Sequence, residues 1–389
     1  MKYYLMNKDT RLVAFSTAER LGTTVFEEQR LTEQLPIGYT DIDLWVKQRN
    51  YAKHKEHLQK WLHDWNLETA DGFLDITHAL SLNDTLWVKQ ENSSLTWKDV
   101  NLYENAFDDI TCHTAFDAGL HGLELSSTSP EFTSEGTFPK CWVRKENQIY
   151  IYKAGLSGAA NLGNEPYGEY LASQIGQELF SNILPYDLIK FKGKICSKSK
   201  LFTSEDEGFV PFYKTVPATK NYNIPAILDI LMAKGMGESF REMILLDSIC
   251  FNTDRHMGNF GYIFHNETFE VQSFAPIFDF NYAMLTTLMM DDFSHLQEVL
   301  NELHYEHRLS GAFDVVGQEI ITPKIREKLP NVIDFTQHEK YKIPEERFQI
   351  LLDVVNDNYS HILHPNRTQI AVTKDITGNV QEQESWEYE

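Results

Sequence analysis

The residues of this chain best suited to chemistry lie between positions 252 and 281. The segment AsnThrAspArgHisMetGlyAsn, 252–259, sets Asp254 five residues before Asn259, and AlaProIlePheAspPheAsn, 275–281, places Asp279 twenty residues further on. Two carboxylates and an amide carbonyl in this order suit phosphoryl transfer from a nucleotide. That reaction asks a protein for a carboxylate that takes or orients the acceptor proton and for hard oxygen ligands to Mg²⁺. The plainer reading is a turn with a capping Asp and a satisfied His. Asp-Arg-His-x-x-Asn arises by chance in roughly 0.002 of chains this long, at ~5% per residue, which weighs against that reading.

Such a site also needs a cation for the phosphates. Lys153 closes the apolar run IleTyrIleTyrLys, 149–153, and Glu169 opens a helical run, 169–180, where it could pair with Lys153. Glu165 is the rival for that role. Taken singly, Lys153 reads as a solvated strand end and either Glu as a first-turn carboxylate favoured by the helix dipole.

The elements that must position these groups fall into a strand-rich first half and a helix-rich second half. A helical pattern runs over 41–65, with Leu58, Trp61, Leu62 and Trp65 on one face. His54, His57 and His63 share it and read as solvated histidines, since no cysteine accompanies them. Residues 71–100 look like short strands punctuated by AspGly at 71–72 and AsnAsp at 83–84. The stretch 126–136 is a loop, followed by strands at 141–144 and 149–153 joined by a hairpin turn. A Gly/Asn-rich loop, 155–163, leads into the helical run, and strands 186–191 and 194–202 follow around LysGly. From about 223 the pattern is predominantly helical, with runs at 239–250, 289–304 and 344–362, and the acidic end, 374–389, reads as a disordered tail.

Composition narrows the classes. In 389 residues there are 35 Lys plus Arg against 57 Asp plus Glu, a formal charge of −22, which disfavours nucleic acid and anionic lipid as primary partners. Hydrophobic residues at 42% suffice for sizeable cores. The cysteines, Cys112, Cys141, Cys196 and Cys250, include no CxxC pair, which argues against a zinc ribbon or a disulfide scaffold. No signal peptide or apolar membrane span is legible, so a cytoplasmic protein is expected.

In order, ThrSerGluGlyThrPheProLys (133–140), IleTyrIleTyrLysAlaGly, GluTyrLeuAlaSerGlnIle, AsnThrAspArgHisMetGlyAsn and AlaProIlePheAspPhe resemble the HipA-like serine/threonine kinases over roughly residues 125–365. The resemblance implies an α+β, bilobal protein-kinase-like fold with a strand-rich N-terminal lobe and a helical C-terminal lobe. Residues 1–125 would be an extension completing the upper lobe, 126–203 the nucleotide-binding upper lobe, and 204–373 the helical catalytic lobe. It implies ATP and Mg²⁺ as cofactors, Asp254 as catalytic base, and Asn259 and Asp279 as Mg²⁺ ligands. Lys153, partnered by Glu169, would contact the ATP phosphates. Ser134, Gly136 and Lys140 would belong to a loop covering them. Leu201, Phe202 and Thr203 would form the hinge that holds adenine. The loop is poorer in glycine than a typical kinase loop, and Asp279 is followed by PheAsn rather than PheGly.

The partners implied are a protein substrate with a Ser or Thr acceptor and a small antitoxin-like protein encoded elsewhere. Two other readings stand beside this one: a kinase for a small molecule or lipid head group, and a catalytically weak module that acts by binding a partner.

Overall fold

A computed structural model describes residues 1–20, 23–49, 69–107, 138–156, 163–309 and 311–364. Strands β1 (Lys2–Asn7), β2 (Thr10–Arg20), β3 (Thr23–Arg30) and β4 (Leu86–Gln90) make an antiparallel sheet in the order β3-β2-β1-β4. Helices α1 (Ile42–Arg49) and α2 (Ala70–Thr77) fall between β3 and β4, and the short α3 (Trp97–Val100) follows. Most of this sheet was not legible beforehand, and residues 70–77 are helix where strand was expected. The AspGly pair at 71–72 is the first turn of α2, because the Thr69 hydroxyl accepts a hydrogen bond from Gly72 N at 3.0 Å and caps it.

A second antiparallel sheet is built from β5 (Lys140–Lys145), β6 (Gln148–Ala154), β7 (Tyr186–Phe191) and β8 (Lys194–Lys200), in the order β5-β6-β8-β7. Glu146 and Asn147 both take positive φ, the geometry of a tight two-residue turn, and Lys192–Gly193 repeats the device between β7 and β8. Helix α4 (Glu165–Leu179) packs against this sheet. It begins four residues earlier than the sequence suggested, so Glu165 lies in its first turn and Glu169 in its second.

The second half is not uniformly helical. Strands β9 (Glu207–Pro211), β10 (Gly261–His265) and β11 (Val271–Phe274) pair antiparallel as β11-β10-β9, a correction to the helical expectation. Their runs are four or five residues long, too short for alternation to stand out, and β9 finds β10 across a long stretch of chain. Around them stand α5 (Ile224–Met232), α6 (Gly237–Ile249), α7 (Leu296–Glu302), α8 (Phe313–Ile320), the short α9 (Pro323–Arg326) and α10 (Glu345–Leu363). Helix α6 is buried all round: Phe240, Met243, Ile244, Leu245, Leu246 and Ile249 are fully inaccessible.

Gly168 lets α4 approach the segment after Asp279. A Cβ there would lie 2.6 Å from Thr286 Cγ2 and 2.9 Å from the Ala283 carbonyl oxygen. Gly168→Ala is therefore expected to push helix and loop apart and to cost about 1–3 kcal/mol, read as a lower urea midpoint. The histidines 54, 57 and 63, Cys112, Ser134, Gly136, residues 157–162 and the acidic tail lie outside the described residues.

Candidate active site

The cavity between the second sheet and the 252–282 region encloses about 500 Å³. Trp142, Ile151 and Lys153 supply one wall, and Phe278, Asp279 and Asn281 lie across from them. Leu201 and Phe202 close one end, where Phe202, Phe209 and Phe278 make a triangle with ring centroids 5.4–5.5 Å apart. The Thr203 hydroxyl donates to the Leu82 carbonyl. At the other end stand Lys140, Asp254, His256 and Asn259. One half of the cavity suits a flat apolar ring and the other a charged group.

Lys153 ties the site together. Its Nζ donates to Glu169 Oε1 and to Asp279 Oδ1, each at 2.9 Å. Glu169 in turn accepts from the Ser197 hydroxyl on β8. Between the two candidate glutamates the geometry chooses Glu169. Glu165 instead meets the residues after β6, where Leu156 N donates to its Oε1 at 3.3 Å and Oε2 has no hydrogen-bond partner among the described residues. Burial opposes the Lys153 charge, but Asp279 and Glu169 outweigh it and raise its pKa well above the ordinary value. Burial pushes Glu169 up against the pull of Lys153, whereas Asp279, also buried, is held down by Lys153 and Arg255. One ammonium between two carboxylates leaves the trio one positive charge short of balance.

Asp279 sits at φ +67°, a left-handed conformation that Asp tolerates better than most residues. It is held there from both sides. Asp279 N donates to the Tyr186 hydroxyl at 3.1 Å, and Ile277 N and Leu184 N bond across to Asn182 and Ile277. Lys153 and Asn281 both bond Asp279 Oδ1 rather than Oδ2. The Asn259 amide nitrogen donates to the Asp254 carbonyl at 3.1 Å, which leaves its Oδ1 available as an oxygen ligand. These two oxygens, beside uncompensated negative charge, fit a divalent cation with a preference for oxygen ligands.

The loop bearing Asp254 is gripped from beneath. Arg255, fully buried, binds Asp247 of α6 through Nε (2.7 Å) and Nη2 (2.9 Å), while Nη1 reaches the carbonyls of Asn259 (2.8 Å) and Phe278 (2.5 Å). One guanidinium thus fastens both halves of the motif to one helix. Burial lowers the pKa of His256, which leaves it neutral near pH 7. Asp254 lines the cavity with its side chain partly exposed and is paired with Arg308.

Several residues here were missed in the sequence. Ser81, Leu82 and Asn83, from the turn before β4, line the cavity, and Phe209 N donates to the Asn83 carbonyl at 2.7 Å. Nothing local marked them. Asp247 did leave a signal: a lone carboxylate in the apolar run MetIleLeuLeuAspSerIleCys, followed by a buried-motif Arg.

No protein-family model matches the chain, and no curated protein matches its sequence. Solved structures do. The chain is similar to HipA in the Shewanella oneidensis toxin–antitoxin complex of HipA, HipB and operator DNA, at 10% identity and TM-score 0.51, covering 93% of this chain and 96% of that one. It is also similar to the Helicobacter pylori proinflammatory kinase CtkA, at 20% identity and TM-score 0.44, over 58% of this chain and 91% of that one. The described strands and helices thus compose a mixed α/β fold of the HipA type.

Proposed function

We propose that this chain is an ATP- and Mg²⁺-dependent kinase of the HipA-like family that transfers the γ-phosphoryl group to a Ser or Thr hydroxyl of a protein. The observation that carries the reading is Lys153 held between Glu169 and Asp279 at the polar end of a cavity with an aromatic opposite end. In kinases the strand lysine paired with a helix glutamate, next to a metal-binding aspartate, is the arrangement competent for transfer. The volume falls within the ~300–1,000 Å³ typical of small-ligand pockets.

In this reading adenine lies between Ile151 and Phe278 beside Leu201 and Phe202, and Lys153 and Lys140 meet the phosphates. Mg²⁺ would be held by Asp279 Oδ2 and Asn259 Oδ1 and would offset phosphate charge. Asp254 accepts the proton of the acceptor hydroxyl as that oxygen attacks. The second sheet with α4 forms the upper lobe and α5–α10 the catalytic lobe, with residues 1–125 joined to the hinge through Leu82 and Asn83.

The assembly named for the Shewanella structure supports a small antitoxin-like partner for this chain as well, and a toxin role within such a pair. That assembly contains operator DNA, so the net charge of −22 is not by itself an argument about the assembled complex. None of the described helices is long and apolar enough to cross a membrane.

Incubation with ATP and Mg²⁺, followed by mass spectrometry of the protein and of added cell extract, tests the reading through phosphate gained at Ser or Thr. Asp279→Ala is expected to lose at least about tenfold in Mg²⁺-dependent ATP affinity, since even indirect metal partners cost 10–100-fold. Calorimetric titration with and without Mg²⁺ checks it, and unchanged Mg²⁺-dependent binding would remove Asp279 from the site.

A further inference from the structure

The segment between α7 and α8 reaches the site from outside the motifs. His307, 2% exposed, anchors it: its Nδ1 accepts from Leu309 N at 3.2 Å, and its backbone N donates to Gly311 O at 3.0 Å. Its ring meets Phe313 edge-on, and its Nε2 lies 3.8 Å from Asp247 Oδ2. Asp247 is the same carboxylate that grips Arg255 beneath the catalytic loop. The segment and the loop therefore share one buried anchor, and the next residue, Arg308, is delivered over Asp254.

There its Nη1 donates to Asp254 Oδ1, the one ion pair of that carboxylate among the described residues. The two side chains remain 52% and 32% exposed. An exposed ion pair is weak enough to be exchanged by an incoming group, yet it occupies the carboxylate while nothing else does. Resting on the kinase reading above, we infer that Arg308 is a positioning residue that keeps Asp254 from serving water when no protein acceptor is bound.

The reaction it suppresses is ATP hydrolysis. The water oxygen bonds to the γ-phosphorus as the bond from that phosphorus to the ADP oxygen breaks, and the water proton passes to Asp254 and then to solvent. The products are ADP and phosphate. Water is too small to push the guanidinium aside. A docked acceptor chain can displace it and present its hydroxyl to Asp254. The pair thus sets selectivity for a protein hydroxyl over water, a choice the binding of ATP alone cannot make.

The test is steady-state ATP hydrolysis by the full chain without acceptor. Arg308→Ala is expected to raise kcat about tenfold or more, up to the ~10²–10⁴ that a positioned base supplies, with KM for ATP and thermal midpoint unchanged. Arg308→Lys should recover most of the suppression, and adding Asp254→Asn to Arg308→Ala should abolish the gain. A rate for Arg308→Ala no faster than the parent overturns the inference, as does a gain that survives Asp254→Asn. If neither parent nor variants bind ATP in calorimetry, the kinase reading fails and the inference with it. ATP binding with unaltered hydrolysis removes the role of Arg308 alone.

Discussion

An Asp254→Ala protein is expected to bind ATP as the parent does and to transfer phosphoryl about 10²–10⁴ more slowly, the scale of losing a positioned general base. The separation of binding from chemistry follows from where the side chain sits. Its carboxylate is ion-paired with Arg308 and, among the described residues, shares no hydrogen bond with Lys153, Glu169 or Asp279, so truncation leaves that trio as it was. The loop keeps its shape because Arg255 and Asn259, not the Asp254 side chain, hold its backbone. Calorimetric ATP affinity and the rate of phosphate transfer, measured on one preparation, make the comparison. Activity within a few-fold of the parent would mean that another group takes the proton. Asp254→Asn, which keeps the shape, separates the charge from the packing.

Replacing Asp247 has the larger effect on folding. Asp247→Asn leaves the Arg255 guanidinium charged, fully buried and without its carboxylate, at a cost of about 3–5 kcal/mol. That is a large share of the ~5–15 kcal/mol by which domains are stable. Changing both partners to apolar residues of similar size should cost much less, because no charge is then left unpaired. The effect depends on pH in a definite direction. Burial alone would push the Asp247 carboxyl up, but the Arg255 charge and its hydrogen bonds, with His307 beside it, bring it below the ordinary value. A carboxyl depressed in the folded state contributes fully above its unfolded pKa, about 3.9, and that contribution fades as pH falls through the folded value. The gap in urea midpoint between parent and Asp247→Asn should therefore be wide at pH 7, begin to close near about pH 4 and go on closing as pH falls through the folded value. Equal midpoints at pH 7 would show that the pair does not hold the loop.

The candidate reactive groups could be picked out in the chain because they lie close together in it. Asp254, Arg255 and Asn259 fall within one loop, and Asp279 follows a short strand pair later. Hairpins β5–β6 and β7–β8 were legible too, because alternation and turn residues act over a few neighbours. What the chain left open was every contact that closes over distance. Glu165 and Glu169 are one helical turn apart and share a face, so periodicity could not choose between them. The choice was made by α4 lying against β6 and β8, which puts Ser197 and Lys153 beside Glu169 alone. The β9–β10–β11 sheet, the cavity wall at Ser81–Asn83 and Arg308 over Asp254 were likewise settled by packing. Local sequence fixes which backbone shapes are cheap and which side chains can react. Only burial of α6 forces Arg255 and His307 to converge on Asp247, the carboxylate in its apolar last turns, and so brings Asp254, Asn259, Asp279 and Arg308 into one place.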